Sequence, residues 1–133
     1  MLDSAYRVAK TELEGLTRPD GTSDYAHSVR VSEKLTDDMG KVIGLLHDVC
    51  EAGYDLEKVY DEFGPEVGDA IDALTRRAGE VYADYIERVK GNQRAVLVKL
   101  ADLDDNLNGA PDSLRKRYEK ASRELFLAMM GDE

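Results

Sequence analysis

Apolar residues recur three and four positions apart along almost the whole chain, and this periodicity limits the fold more than any other feature of the sequence. The spacing gathers apolar side chains on one face of a helix, whereas a half-buried strand needs strict alternation of apolar and polar residues. The sequence has neither strand-like alternation nor an internal repeat. It therefore predicts an all-α fold, a compact bundle of about seven to eight helices. A chain of 133 residues suits one core, so we expect a single domain over 1–133.

Capping and breaking residues mark where these helices begin and end. Ser23 or Asp24 can cap the second helix, Gly40 separates it from the third, and Gly53 closes the third. Asp55 can cap the fourth helix. The predicted helices span about 2–15, 24–38, 42–51, 56–63, 65–74, 82–90, 93–107 and 111–129.

The formal charge of −10 is spread along the chain, which makes a nucleic-acid partner a poor match because such proteins present basic surfaces. A small anionic ligand is compatible with this charge, since a divalent cation and a few arginines can reverse the potential inside a pocket. Cys50 is the only cysteine, the first residues lack the apolar core of a signal peptide, and no apolar run is long enough for a membrane span. We expect a cytoplasmic protein without a membrane partner.

An adjacent histidine and aspartate, His47 and Asp48, follow an apolar run in the third predicted helix. A buried imidazole and a buried carboxylate need polar partners, and one metal ion would satisfy both. Neighbours on a helix point about 100° apart, so they can share a ligand only near the helix end, close to Gly53. A core histidine beside a solvated carboxylate is the alternative for such a pair taken alone.

Asp102 follows an almost wholly apolar stretch of its helix, and a buried aspartate is rare without compensation. Asp105 and Asn106 come three and four residues later, on the same helical face, and form a polar cluster with it. His27, the only other histidine, lies among apolar residues of the second helix. Taken singly, these residues could also be a solvated helix end and a structural histidine.

Together the chain offers two imidazoles and two carboxylates, from His27, His47, Asp48 and Asp102. This ligand set suits manganese, iron, zinc or magnesium and leaves coordination positions for water. The combination therefore predicts one divalent metal site.

The order of these four residues resembles the H…HD…D pattern of the HD superfamily of metal-dependent phosphohydrolases. The segment LLHDVCE at 45–51 is similar to the metal-binding helix of the guanosine tetraphosphate hydrolases, the hydrolase side of the RelA/SpoT family. VKLAD at 98–102, with Asn106 and Leu107, resembles the K-L-A-D-x-x-x-N-L signature of the same family. The segment 74–89 looks like the short, single-domain bacterial and phage members, so the resemblance extends over nearly the whole chain.

The resemblance implies an HD-type helical bundle in which the four residues bind one metal, usually manganese. It also implies that Glu51 and Asn106 lie beside the attacked phosphorus. Helical continuation from His47 would bring Glu51 to the site as a general acid or base, and an exposed helix-end glutamate is the alternative. Ala52 stands where the family has the second acid of a Glu-Asp pair, a departure that bears on the substrate.

The candidate substrate contacts are three arginines and two tyrosines. Guanidinium groups match phosphate oxygens in pairs, which points to Arg18, Arg76 and Arg77, although each could be a solvated surface residue. Tyr82 and Tyr85 lie three apart and could stack on a base or sugar, or could belong to the core.

The sequence thus predicts a metal-dependent phosphohydrolase acting on a nucleotide, with (p)ppGpp pyrophosphohydrolase-like activity as the first candidate. The alternatives are an HD nucleotide phosphatase of other specificity and a nucleotide-sensing module with impaired catalysis. The apolar end of the last helix, over 125–130, also suggests a homodimer.

Overall fold

The computed structural model describes residues 1–131, and these form eight helices and no strand, which confirms the predicted all-α fold. One isolated bridge joins Thr17 to Ser23 in the loop before the second helix. The helices are α1 (Leu2–Leu13), α2 (Asp24–Glu33), α3 (Asp38–Leu46), α4 (Leu56–Phe63), α5 (Pro65–Leu74), α6 (Tyr82–Lys90), α7 (Gln93–Leu107) and α8 (Asp112–Met130).

Helices α3 and α7 form the centre of the bundle. Helix α3 packs against α1, α2, α5 and α7, and α7 packs against α2, α3, α5, α6 and α8. All eight helices bury an apolar face in one core, as the three-to-four spacing predicts. No helix within residues 1–131 is long and apolar enough to cross a membrane. The two central helices carry or immediately precede most of the predicted metal ligands.

Several predicted helix ends are confirmed by their capping bonds. The Ser23 hydroxyl accepts a hydrogen bond from the amide of Ala26 at the start of α2, and the Asp55 carboxylate accepts one from Glu57 at the start of α4. Pro65 occupies the first turn of α5, where its missing amide hydrogen costs nothing. Local side-chain chemistry therefore sets these boundaries.

The predicted boundary between the second and third helices was wrong. Helix α2 ends at Glu33 instead of continuing to Asp38, because the Asp37 carboxylate accepts a hydrogen bond from the Gly40 amide and begins α3 there. Gly40 lies inside α3 and therefore does not separate the second helix from the third. The first helix also ends slightly earlier than predicted, at Leu13.

Helices α2 and α3 approach each other closely at Gly44. A Cβ atom at this position would lie 3.0 Å from the Ser32 Cα atom and 3.2 Å from its backbone nitrogen. The Ser32 hydroxyl donates a hydrogen bond of 2.9 Å to the Lys41 carbonyl, which fastens the two helices beside this contact. The absence of a side chain at Gly44 therefore lets α2 bring His27 close to the end of α3.

The final turns of α8 leave an apolar surface exposed, formed by Phe126, Leu127 and Met130. The inward face of the same helix is anchored in the core by Ala121 and Leu125. The exposed surface lies within the segment from which a homodimer was predicted, and that homodimer stays a prediction.

Candidate metal centre and adjoining cleft

Three of the four predicted metal ligands meet in the interior of the bundle. One nitrogen each from His27 and His47 and one oxygen from Asp102 lie within 4.8 Å of one another, and all three residues are buried. Helix α2 supplies His27, the residue following α3 is His47, and α7 supplies Asp102. Residues far apart in the chain therefore form a compact donor set.

His47 caps α3 instead of lying inside a helix that continues to residue 51. The chain from 47 to 53 forms a succession of turns, which closes at Gly53 with a φ of 112°, a conformation that favours glycine. This corrects the prediction that His47 and Asp48 lie within the helix. It also supplies the helix end that two adjacent residues need if they are to face the same point.

The tautomer of His47 follows from its hydrogen bond to the backbone. Its Nδ1 atom lies 2.6 Å from the Gly44 carbonyl oxygen, which can only accept, so Nδ1 carries a proton. The other ring nitrogen, Nε2, is buried and has no hydrogen-bond partner. It lies 3.2 Å from a carboxylate oxygen of Asp48 and 3.4 Å from one of Asp102.

The Nε2 atom of His47 faces two carboxylates in the interior, an arrangement that calls for a positive charge, supplied by a proton on Nε2 in the metal-free protein or by a metal ion in its place. Burial disfavours charge on His47, but the carboxylates of Asp48 and Asp102 outweigh this and raise the pKa of its imidazole well above the usual value. Two imidazoles and neighbouring carboxylates are donors that divalent metals accept. The group of His27, His47 and Asp102 could therefore bind a metal.

Asp48 lies at the open side of this group. One of its oxygens is 4.0 Å from His27 Nε2, and its side chain is 30% exposed. Burial opposes charge on this carboxylate, but His47 beside it lowers its pKa, so it stays ionised. Its role as the fourth ligand stays a prediction.

Lys99 compensates the buried charge of Asp102, one helical turn away on α7. Its ammonium group donates a hydrogen bond of 2.8 Å to Oδ2 of Asp102. Burial opposes ionisation of both groups, yet their mutual attraction raises the pKa of Lys99 well above its usual value and lowers that of Asp102 well below. Lys99 belongs to the K-L-A-D motif but was not predicted as a site residue. Its position three residues before Asp102, on the same helical face, could have indicated the contact.

On the far side of His27, the polar cluster predicted on α7 is present. Asp105 lies 2.6 Å from Nδ1 of His27, and Arg30 donates two hydrogen bonds to the same carboxylate. Burial raises the pKa of Asp105, but these hydrogen bonds outweigh it and lower the pKa overall. The sequence placed Asp105 on the correct face but gave no sign of its partner Arg30.

A cleft of about 200 Å³ opens to the surface beside the group of His27, His47 and Asp102. It brings together all but one of the predicted catalytic and substrate-binding residues with two that were not predicted, Lys99 and Tyr118. Arg77 is not among the lining residues and pairs with Asp72 instead. The lining residues are Arg18, His47, Asp48, Glu51, Arg76, Tyr82, Tyr85, Lys99, Asp102, Asn106 and Tyr118.

Arg18 is presented to the cleft by a short closed loop. Backbone hydrogen bonds join the Arg18 amide to the Thr22 carbonyl and the Gly21 amide to the Arg18 carbonyl. The Arg18 guanidinium donates a hydrogen bond to the side-chain oxygen of Asn106, and an Asn106 amide hydrogen points to Asp102 at 3.4 Å. A predicted substrate contact and a predicted catalytic residue thus touch directly.

The two candidate tyrosines differ in environment. Tyr85 is 3% exposed, and its hydroxyl donates to the Leu74 carbonyl, so it belongs largely to the core. Two guanidinium groups lie near the Tyr82 ring, that of Arg117 at 3.8 Å and that of Arg76 at 5.4 Å from its centre. They place two positive charges beside a ring that lines the cleft.

Glu51 reaches the cleft through a turn and not through the predicted helical continuation. The residue as a whole is exposed, yet the cleft partly withdraws its carboxylate from water, and this burial together with Asp48 raises its pKa. A carboxyl group with a raised pKa is suited to proton transfer near neutral pH. Burial and nearby carboxylates raise the pKa of Cys50 to about 11, which disfavours a thiolate nucleophile.

The fold resembles that of a ppGpp hydrolase. A solved structure of a metazoan ortholog of SpoT, which hydrolyses ppGpp and plays a role in starvation responses, matches with a TM-score of 0.78. The match covers 98% of this chain and 85% of that chain, at 25% sequence identity. The resemblance to short RelA/SpoT-type hydrolases, predicted from the motifs, is therefore confirmed for the fold as a whole.

The sequence comparison also gives a relative. The chain is 29% identical over 116 residues to a protein named "Probable GTP pyrophosphokinase" of Mycobacterium leprae (strain TN). The aligned region covers 77% of this chain but spans only 15% of the length of that relative. No family model matches the sequence.

Proposed function

We propose that this protein is a metal-dependent phosphohydrolase of the HD type that cleaves guanosine tetraphosphate. The observation that carries the proposal is the buried, unpartnered Nε2 atom of His47 facing the carboxylates of Asp48 and Asp102 at the base of an open cleft. The ppGpp-hydrolysing structure that shares this fold supports the choice of substrate. The aligned segment of the much longer Mycobacterium leprae relative supports the same nucleotide class.

In this proposal His27, His47, Asp48 and Asp102 hold one divalent metal ion. Manganese is the first candidate, since the related hydrolases usually use it, and the same donors also suit iron, zinc or magnesium. When bound, such an ion lowers the pKa of water and offsets negative charge on phosphoryl oxygens. Lys99 keeps Asp102 ionised and oriented through its hydrogen bond to Oδ2, which leaves Oδ1 toward the two imidazoles.

Glu51 and Asn106 act on the reacting groups. The Glu51 carboxylate moves a proton, either from the attacking water or to the leaving oxygen, because it lines the cleft next to Asp48 and has a raised pKa. The Asn106 side chain lies between Asp102 and Arg18 and can donate to a phosphoryl oxygen. Both residues line the cleft.

Arginine side chains orient the substrate. Arg18 and Arg76 both line the cleft, and each can exchange its present hydrogen bond, to Asn106 and to the Glu80 carbonyl respectively, for phosphate oxygens, which guanidinium groups bind in pairs. Arg77 follows Arg76 in the chain. Its ion pair with Asp72 is exposed and therefore weak, so a phosphate can replace the Asp72 carboxylate as its partner. Tyr82 offers a ring on which a base or sugar can stack, and the Tyr85 ring lies 5.8 Å from it.

The proposal is tested by a substrate panel with the manganese-loaded protein. Guanosine tetraphosphate, GTP, GMP and NADPH are incubated separately, and the products are separated by chromatography. We expect turnover of guanosine tetraphosphate above the others, and its loss in His47→Ala because that variant removes the unpartnered nitrogen. Unchanged turnover in His47→Ala would assign the activity to a contaminant.

The panel also separates the alternatives. Preference for another nucleotide would keep the HD phosphohydrolase and replace its substrate. Tight binding of guanosine tetraphosphate without turnover would instead identify a nucleotide-sensing module, for which Ala52 in place of an acid is the motivating feature.

A further inference from the structure

The His27 ring is held between two carboxylates from α7. Its Nε2 atom faces His47 and Asp102 and lies 2.8 Å from Oδ1 of Asp102. Its Nδ1 atom, on the opposite side of the ring, lies 2.6 Å from Oδ2 of Asp105. His27 is fully buried, and the Asp105 side chain is 6% exposed. The carboxylate of Asp105 can only accept, so it keeps a proton on Nδ1.

Asp105 is itself fixed by Arg30. The Arg30 Nε atom donates to Oδ1 at 2.8 Å and Nη2 donates to Oδ2 at 3.1 Å, which is the paired geometry of guanidinium and carboxylate. Arg30 follows His27 by three residues, so both side chains leave the same face of α2. One helix thus supplies the imidazole and the group that holds the carboxylate behind it.

We propose that Asp105, held by Arg30, is a positioning residue that fixes the orientation of His27 and directs its Nε2 atom toward the metal. The inference rests on the proposed function, because it assigns His27 as a ligand. It gives a role to Asp105 and Arg30, neither of which was predicted from the sequence as a metal ligand or substrate contact. Partners of this kind behind a ligating histidine orient the ring and make its free nitrogen a better donor.

The chain contains a matched control for this arrangement. Asp104 precedes Asp105 on α7 and pairs at 2.8 Å with Lys34, again across the contact between α7 and the end of α2. The Asp104 side chain is 69% exposed, and its hydrogen bond goes to Lys34 and not to a histidine. Removing either carboxylate changes the net charge equally, but only the loss of Asp105 frees the His27 ring.

The first experiment measures the affinity for Mn²⁺ by calorimetric titration of the metal-free protein. We expect Asp105→Ala to weaken binding by about 10- to 100-fold, while Asp104→Ala binds as the wild type does. Arg30→Lys keeps the charge and the Asp105 carboxylate but removes the paired donors, so we expect a smaller loss. This variant also carries the test if Asp105→Ala folds poorly, as circular dichroism would reveal.

The second experiment observes the proton itself. The chain has only two histidines, so a spectrum of the ¹⁵N-histidine-labelled, metal-free protein is simple to assign with His47→Gln. We expect a slowly exchanging Nδ1 proton of His27 at low field in the wild type and in Asp104→Ala, and its loss in Asp105→Ala. This readout requires neither bound metal nor turnover.

These results distinguish the inference from the proposed function. Equal Mn²⁺ affinities in Asp105→Ala and Asp104→Ala, or a His27 Nδ1 proton that persists in Asp105→Ala, would overturn the positioning role even if the wild type hydrolyses guanosine tetraphosphate. A wild type that turns over no nucleotide, but loses Mn²⁺ affinity and the Nδ1 proton on removal of Asp105, would retain the positioning role and discard the hydrolase.

Discussion

Replacing Glu51 by glutamine is expected to lower the turnover of guanosine tetraphosphate by roughly 100- to 10,000-fold, the usual contribution of a positioned acid or base. Glutamine has nearly the same shape and can still accept a hydrogen bond, but it cannot carry the proton. Glu51 faces the cleft beside Asp48 without joining the buried group formed by His27, His47 and Asp102. The Mn²⁺ affinity of Glu51→Gln should therefore stay close to that of the wild type.

Glu57→Gln is a suitable control for this substitution. Glu57 is exposed in the first turn of α4 and does not line the cleft, so the same chemical change there should leave turnover unaltered. The two turnover numbers and the two Mn²⁺ affinities are compared directly. Full activity in Glu51→Gln would remove Glu51 from the mechanism, and a loss of metal binding would make it a ligand instead.

Replacing Gly44 by alanine is expected to lower the free energy of unfolding by ~1–3 kcal/mol, the usual cost of inserting a methyl group into a packed interior. The new Cβ atom would lie 3.0 Å from the backbone of Ser32, which cannot rotate away as a side chain can. Alanine improves the helix propensity of this position by about 1 kcal/mol, which offsets only part of the strain. Urea denaturation of the metal-free protein measures the difference.

The same substitution should also weaken the metal site. Relief of the contact moves α2, which carries His27, away from α3, which immediately precedes His47; the two imidazole rings are 5.2 Å apart. Gly91→Ala is the comparison, since a Cβ atom there meets only the Arg88 carbonyl at 3.4 Å and the backbone is not left-handed. We expect Gly91→Ala to keep both stability and Mn²⁺ affinity. Equal free energies of unfolding for the two alanine variants would show that the α2–α3 contact accommodates a methyl group at position 44 without measurable cost.

Much of the fold could be predicted because local signals were strong. The amphipathic periodicity and the caps at Ser23 and Asp55 gave the helix class and several ends correctly. The boundary between α2 and α3 was predicted wrongly because glycine often ends a helix. Here the hydrogen bond from the Gly40 amide to the Asp37 carboxylate places Gly40 in the first turn of α3. Whether a glycine ends a helix or lies inside one depends on the hydrogen bond that its amide makes, and the spacing of apolar residues does not reveal that bond.

The site was predictable to the extent that its residues carry unusual chemistry in apolar surroundings. His47 and Asp102 stood out for that reason, and the structure brings them together with His27. Arg30 could not be found, because an arginine on a helix is ordinary until the fold places Asp105 opposite it. Arg77 pairs with Asp72 in the structure and does not line the cleft, so the phosphate contact that its residue type suggested stays a prediction.

The most direct test of the central claim is to add Mn²⁺ stepwise to the metal-free protein while following both binding and hydrolysis of guanosine tetraphosphate. The structure predicts binding at one site per chain, turnover that rises in proportion to its occupancy, and loss of both in His47→Ala. Hydrolysis that proceeds at full rate in the metal-free protein, or Mn²⁺ binding that survives in His47→Ala, would contradict a metal centre built on His27, His47 and Asp102.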